Sequence, residues 1–207
     1  MLGELKESYG GVFEIFGRYW SAYGGWKAVF FSPYFHGAIV LTAVLAHAWV
    51  KQPWWSVTIA VLPTLVGFAI GAYSIVLGFG DDRFRDIIME RDEDGPSPYV
   101  EISASFAHFI VVQLLALIVA FVANGLDFPL DEKEGIGAFI YSVVGSVEFV
   151  HDYVAPVGYF FGYLLFMYAI TTALATAMAI FRLTTLAERE KPAASPAASD
   201  DSPPAGN

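Results

Sequence analysis

The strongest constraint on this chain is a run from Trp54 to Gly80 that contains no charged side chain. The run is roughly 27 residues long, and about 20 apolar residues let a helix cross the hydrocarbon core of a bilayer. Three further apolar segments lie at about 35–52, 102–124 and 154–183. A segment surrounded by lipid satisfies its backbone hydrogen bonds only as a helix or within a closed barrel. The four segments therefore predict an all-α polytopic membrane protein, with a four-helix transmembrane bundle over residues 35–187.

Composition supports the membrane class and excludes others. The 207 residues are 56% hydrophobic and 15% charged, against about 25% charged residues in ordinary soluble domains. A net charge of −10 disfavours nucleic acid as a partner. The chain has no cysteine, which excludes disulfides and thiolate metal sites.

The basic residues predict the orientation of the chain. If both termini and the loop at 81–101 share one side of the membrane, that side carries all but two of the 11 Lys and Arg residues, the exceptions being Lys51 and Lys133. Cytoplasmic loops are enriched in Lys and Arg. We therefore expect both termini and this loop to be cytoplasmic, in a bacterial inner (plasma) membrane, with an outer loop at 125–153.

Polar and aromatic segments flank the expected spans. Residues 1–34 are rich in aromatic side chains, which suit the headgroup layer, so this segment is either an in-plane interfacial helix or an irregular lead-in broken by its glycines. The acidic loop at 81–101 is either solvated or a dock for a cytosolic protein. Residues 136–147 are too few to span and form an interfacial, re-entrant or extended helix. The tail at 188–207 is expected to be disordered.

Small residues form stripes on the second and fourth expected spans. In lipid, small side chains let two helix backbones approach closely, and van der Waals contact then holds the pair together. The stripes therefore predict helix packing, either within one subunit or between copies in a homo-oligomer. The residues concerned are Gly67, Gly71, Ser74, Gly78, Gly158 and Gly162.

Few polar side chains fall inside the spans. His108, Gln113, Thr172 and Thr176 are the candidates for interhelical hydrogen bonds or for the wall of a narrow pore. Ion-coupled carriers usually have buried carboxylates or basic groups, and the second and third spans have none. A haem held by His36 and His108 is a weak alternative, because the expected depths of the two imidazoles differ by more than one turn.

One cluster has the spacing of a metal site. Glu148, His151 and Asp152 share a helix face at the expected outer end of the fourth span. A di-iron site needs a second such motif, which the sequence lacks, so the cluster is either a solvated helix end or a weak cation site. Motifs for phosphate loops, serine hydrolases, zinc proteases and dinucleotide binding are also missing. The sequence therefore indicates no enzyme, no resident metal and no cofactor.

The order of several short motifs resembles that of a loosely defined set of uncharacterised bacterial four-pass inner-membrane proteins, some of which are found beside anti-phage defence genes. The motifs are Ser32-Pro33, Leu62-Pro63, Gly67-Phe68 with Gly71, and Gly78-Phe79-Gly80-Asp81 with Phe84. They cover about half of the chain and are small or apolar residues of kinds common in membrane helices. The resemblance implies a membrane setting and carries over no functional residues.

Two functions are compatible with these features. The first is a non-enzymatic, homo-oligomeric pore or channel-like assembly, coupled to the cytoplasm through the acidic loop at 81–101. Four helices enclose too little space for a wide path, so conduction would need several copies. The second is a membrane anchor or sensor subunit that recruits a cytosolic partner, as it would in a defence system.

Overall fold

The structure is a computed structural model, and it describes residues 2–78, 89, 97–127, 138, 141–143, 145 and 147–189. Most of the expected cytoplasmic loop at 81–101, much of the outer loop at 125–153 and the tail from residue 190 lie outside the described residues. The predictions for those parts remain predictions.

Helices form all of the regular structure in the described part of the chain. One turn before the last helix, Val150–Val154, is π-helical and is named π1 here. The α-helices are α1 (Leu2–Tyr23), α2 (Gly25–Phe30), α3 (Pro33–Val44), α4 (Ala46–Val50), α5 (Trp54–Gly78), α6 (Pro98–Gly125), α7 (Val147–Phe149) and α8 (Ala155–Arg189).

Three of these helices are long and apolar enough to cross a membrane. They are α5, α6 and the segment Asp152–Arg182, which comprises the end of π1 and most of α8. The prediction of an all-helical fold is thus confirmed for the described residues, and these three helices support the prediction of a membrane protein. Helix α6 begins at Pro98, inside the stretch predicted as loop, because proline suits the first helical position and Glu101 in the first turn complements the helix dipole.

The first expected span, at about 35–52, is interrupted. Helix α3 ends at Val44 and α4 begins at Ala46, so neither piece reaches spanning length. The indole N–H of Trp49 donates to the carbonyl oxygen of Thr42 at 2.9 Å, one turn before α4 begins. A side chain that bonds into the backbone ladder in this way is a known cause of helix breaks.

The segment before α3 is helical rather than irregular. Helix α1 continues through Gly10 and Gly11 and ends only at the second glycine pair. Gly24 and Gly25 have φ angles of 98° and 63°. Side chains with a Cβ rarely adopt such angles, so these two glycines permit the turn that separates α1 from α2.

Helix α6 lies at the centre of the packed helices and contacts α5, α8 and α1. Its fully buried Ala116 and Ala120 let the neighbouring helices approach closely. Helix α3 packs against α8, with Phe35 beside Tyr168, and in α4 Trp49 lies beside Phe160. Residue numbers therefore rise along one partner while they fall along the other, which makes the two segments antiparallel.

Two contacts define the opposite ends of the packed helices. At one end Arg182 near the C-terminal end of α8 reaches Glu101 at the start of α6. At the other end the ring of Trp54, at the start of α5, lies beside Tyr163 of α8. A Cβ built on Gly162 of α8 would lie close to both Trp54 and Val119 of α6. Consecutive long helices therefore run in alternating directions, as a chain that crosses a membrane repeatedly requires.

Candidate functional site

The clearest concave site is a cavity of about 610 Å³ between α6 and α8. It extends from the Glu101–Arg182 contact inward to His108 and Thr172, and the α1–α2 turn and the start of α3 form its remaining wall. We call it the vestibule. Its lining residues are Ser21, Ala22, Tyr23, Gly24, Ser32, Tyr34, Glu101, Ile102, Ser105, His108, Thr172, Ala175, Thr176, Met178, Ala179 and Arg182.

Helical periodicity explains why polar residues meet in the vestibule. On α6, Glu101, Ser105 and His108 recur at spacings of four and three residues, so they share one face. On α8, Thr172 and Thr176 recur at the same kind of spacing, and small alanines continue their face toward Arg182. The two faces oppose each other, and the glycine turn at Gly24 brings α1 against them.

A carboxylate and a guanidinium mark one end of the vestibule, which we call the mouth. Nη1 of Arg182 donates to Oε2 of Glu101 at 3.3 Å. The side chains remain 61% and 42% exposed, respectively. An ion pair with this much exposure is weak, because water and salt screen the attraction. The pair can therefore open when another charged group approaches.

Three hydroxyl groups of the vestibule wall, on α6 and α8, point their protons into their own helices. Ser105 donates to the carbonyl oxygen of Glu101 at 2.9 Å, Thr172 to that of Tyr168 at 2.9 Å, and Thr176 to that of Thr172 at 3.1 Å. A hydroxyl has a single proton to donate and two lone pairs with which to accept. These three side chains therefore present hydrogen-bond acceptors to the vestibule.

An aromatic layer closes the inner end of the vestibule. His108 is 4% exposed, and its Nδ1 and Nε2 atoms lie 2.7 Å and 2.9 Å from the hydroxyl oxygens of Tyr19 and Tyr168. The ring of Tyr23 stacks on the imidazole, with centroids 3.7 Å apart, and its hydroxyl is hydrogen bonded to Tyr168. We call these four side chains the aromatic floor.

The hydrogen bonds of the aromatic floor form one connected chain. A neutral imidazole donates from one nitrogen and accepts at the other, so the imidazole can donate to Tyr19 and accept from Tyr168, or the reverse. Both imidazole nitrogens are thus satisfied by tyrosines, and His108 is not paired with His36, which lies exposed on α3.

The predicted polar residues divide into two groups. His108, Thr172 and Thr176 line the vestibule, whereas Gln113 does not. Gln113 is fully buried, and neither its amide oxygen nor its amide nitrogen has a hydrogen-bond partner among the described residues. It follows Phe106 by two helical turns, so it lies on the face of α6 where Phe106 stacks with Tyr73 of α5.

The small residues that were predicted to form packing stripes on α5 and α8 differ in their surroundings. On α5, Gly67, Gly71 and Gly78 are exposed and open, with no described heavy atom within 4 Å of a Cβ built on any of them. Ser74 is exposed as well, and its hydroxyl donates to the carbonyl oxygen of Ile70 at 2.9 Å. This face of α5 makes no contact inside the described chain, and its predicted role between copies remains a prediction.

The two glycines of α8 have different surroundings. Gly158 is exposed, and a Cβ built on it meets open space. Gly162 is buried, and a Cβ there would lie 2.5 Å from two ring atoms of Trp54. Gly162 is thus the position at which α8 approaches the start of α5.

The predicted cation cluster lies partly outside the described residues and remains a prediction. Among the described residues, no group of three His, Asp or Glu side chains comes close enough to hold a metal ion. Glu148 lies in α7 and Asp152 in π1, both exposed, while the side chain of His151 is outside the described set. The equal helical spacing that motivated the prediction is altered, because π1 winds more widely than an α-helix.

Sequence reasoning did not single out five residues of the site. Tyr19, Tyr23 and Tyr168 resembled ordinary membrane-interface aromatics, and the charges of Glu101 and Arg182 resembled ordinary span ends. One signal was available: antiparallel neighbouring helices bring the charge in the first turn of α6 and the charge near the C-terminal end of α8 to the same end. Comparison with family models, curated proteins and solved structures finds no match to this chain.

Fold and site together define a class: a helical protein with three membrane-length apolar helices and, at one end of them, a cavity that contains several polar side chains. The cavity offers acceptor oxygens, an exchangeable ion pair and an aromatic floor. These features suit the binding or passage of a small polar solute.

Proposed function

We propose that this chain is a non-enzymatic, channel-like membrane protein in which the vestibule is the cytoplasmic entrance for a small polar solute. The observation that carries this proposal is the vestibule itself, which extends from a half-exposed ion pair to a buried histidine. A helix that only anchors a partner needs no internal cavity with polar side chains in its wall, because burial of polar groups between helices costs free energy.

The proposed topology has four passes with both termini in the cytoplasm. The excess of Lys and Arg supports a cytoplasmic position for the mouth, with Arg182. The first pass is then composite. Residues 34–49 rise roughly 22 Å, less than the hydrocarbon thickness of about 30 Å, and the crossing is completed by α2 and α1, which pack beside the vestibule.

The aromatic floor acts as the gate in this proposal. The 1.5 Å rise per helical residue puts Thr172 roughly 15 Å from Arg182, and His108 roughly 10 Å from Glu101. The vestibule therefore reaches a third to a half of the way through a hydrocarbon core of about 30 Å. Beyond the floor lies packed apolar core that includes Val112 and Ala116. Passage requires the floor to move.

Copies of the chain assemble through the outward face of α5. Only 11% of the apolar window of this helix is buried inside the chain, against 39% for that of α6 and 33% for that of the last span. Its exposed face carries the stripe of Gly67, Gly71, Ser74 and Gly78, which favours close contact with another helix in lipid.

The gate can be tested by shortening one floor residue. Tyr23→Ala removes the ring that stacks on His108 and opens the inner end of the vestibule. We expect proteoliposomes with this variant to release a trapped small polar fluorophore faster than wild-type proteoliposomes. Tyr9→Ala is the matched control, because Tyr9 lies on the same helix and is 61% exposed; its release should equal that of the wild type.

The opposite result would identify a different function. If Tyr23→Ala elutes and melts like the wild type, yet its liposomes remain as tight as empty ones, the channel proposal fails. The anchor or sensor function then takes its place, with a cytosolic partner bound at 81–101. Loss of a co-purifying protein on charge reversal at Asp92, Glu93 and Asp94 would support that function.

A further inference from the structure

We propose that the vestibule binds a small zwitterion, a molecule with a primary ammonium group and a phosphate or carboxylate group. The ammonium group lies against Glu101 and the hydroxyl oxygens of the wall, and the acidic group lies against Arg182. This inference rests on the proposed function, since it names the class of solute that enters the vestibule.

The wall selects for hydrogen-bond donors. The hydroxyl groups of Ser105, Thr172 and Thr176 donate to the carbonyl oxygens of the preceding helical turn. Their lone pairs therefore face the vestibule as hydrogen-bond acceptors. An ammonium group has three donors and no acceptor. It can donate to these three oxygens, whereas a carboxylate group alone has no donor to offer them.

The mouth selects for two opposite charges. Glu101 and Arg182 are the only charged residues that line the vestibule in the described chain, and they are paired with each other. A simple cation that takes Glu101 leaves Arg182 without its partner, and a simple anion does the reverse. A zwitterion inserts between them and gives each ion a new partner, so no charge is left uncompensated.

The dimensions of the vestibule suit such a ligand. A cavity of about 610 Å³ is far larger than a single metal ion needs and has room for an amino acid or a phosphoethanolamine group together with water. The same chemistry could arrive free in solution or as the headgroup of phosphatidylethanolamine, because the mouth lies at the membrane surface in the proposed topology.

The ligand class can be tested by calorimetric titration of the purified full-length protein in a maltoside detergent. The probes are O-phosphoethanolamine, ethanolamine and inorganic phosphate. We expect O-phosphoethanolamine to bind at least about tenfold more tightly than either half, since each half forms only one of the two charge-assisted contacts. Equal affinity for phosphate alone would show an anion site, and equal affinity for ethanolamine alone a cation site; either result overturns the proposal.

Variants test the named residues. Glu101→Gln and Arg182→Gln should each weaken O-phosphoethanolamine binding by about tenfold, the cost of one charge-assisted contact. Thr176→Val removes a wall oxygen with little change of shape and should weaken binding, whereas Thr176→Ser should restore it. Thr185→Val is the matched control, because Thr185 donates to the carbonyl oxygen of Arg182 in the same way but does not line the vestibule. Binding that is unchanged in Thr176→Val, or weakened equally in Thr185→Val, contradicts the proposed role of the wall.

The source of the ligand is tested in nanodiscs. If the headgroup is the natural occupant, phosphatidylethanolamine nanodiscs should reduce O-phosphoethanolamine binding relative to phosphatidylglycerol nanodiscs; if the ligand is free, both lipids should give the same affinity. Either outcome keeps the zwitterion site, and absence of binding in both lipids and in detergent removes it. Binding without solute release from proteoliposomes would retain the site and reject the channel, and release without binding would do the reverse.

Discussion

At the scale of single residues, the contact between Gly162 and Trp54 determines how closely α8 approaches α5. Trp54 is 2% exposed and its ring packs edge-on against Trp55 and Tyr163. The indole ring therefore has little freedom to move aside. The space that the missing Cβ of Gly162 leaves is filled by this ring, which explains why a glycine occupies a buried helical position.

Gly162→Ala should therefore destabilise the protein. Its Cβ would overlap two ring atoms of Trp54, and overpacking of this kind costs roughly 1–3 kcal/mol. Gly158→Ala is the matched control, because its Cβ meets open space and alanine favours a helix over glycine by about 0.5–1 kcal/mol. The thermal unfolding midpoint in detergent should fall for Gly162→Ala and stay level or rise for Gly158→Ala. Equal midpoints for the two variants would show that the Trp54 ring moves aside without a loss of stability.

Also at this scale, His108 shows why a polar residue in an apolar helix is hard to interpret from sequence. Both nitrogens are satisfied by hydroxyls from distant segments, Tyr19 in α1 and Tyr168 in α8. Satisfied polar groups between helices stabilise packing as well as they line a path. The vestibule on one side of the imidazole ring is the observation that supports a functional role for His108 in addition to its structural role.

At the scale of elements, the sequence predicted three long helices well because length and absence of charge alone decide them. The interruption at Leu45 depends on one side-chain bond, from the indole of Trp49 to the carbonyl of Thr42, and hydropathy carries no trace of it. The vestibule was missed because its third wall comes from α1 and α2. The aromatic side chains of that segment fit the headgroup layer equally well, so nothing local showed that Tyr23 would reach His108.

Helix α5 is the least buried of the three membrane-length helices, with 11% of its apolar window buried inside the described chain. Gly71→Leu fills the middle of its small stripe and should lower the subunit number, measured by native mass spectrometry in mild detergent, because the bulky side chain separates the helix backbones. Ala177→Leu is the control, since it adds similar bulk at an exposed position on α8. A subunit number that is unaffected by Gly71→Leu would place the assembly contact on another helix.

At the scale of the whole molecule, the path of the first 50 residues decides the topology. If α3 and α4 only dip into the membrane, the three long helices leave residues 1–50 on the outer side and the tail in the cytoplasm. If α1 to α4 together complete a crossing, both termini are cytoplasmic. The distribution of Lys and Arg favours the second arrangement.

The position of Ser8 separates the two arrangements, because it is exposed near the start of α1. The chain contains no cysteine, so each single-cysteine variant reports one site without background. Ser8→Cys should react with a membrane-impermeant maleimide only after the membrane is permeabilised, whereas Gln52→Cys, in the turn before α5, should react in intact spheroplasts. Reaction of both variants in intact spheroplasts would establish three passes.

In a three-pass arrangement the vestibule, which α1 helps to enclose, would have to form from a segment that entered the membrane from the outside. That path would carry Arg18 and Lys27 across the hydrocarbon, at a cost of about 2.5–3.5 kcal/mol for each basic side chain at the membrane centre. The four-pass arrangement avoids this cost, since α1 reaches the vestibule from the cytoplasmic side.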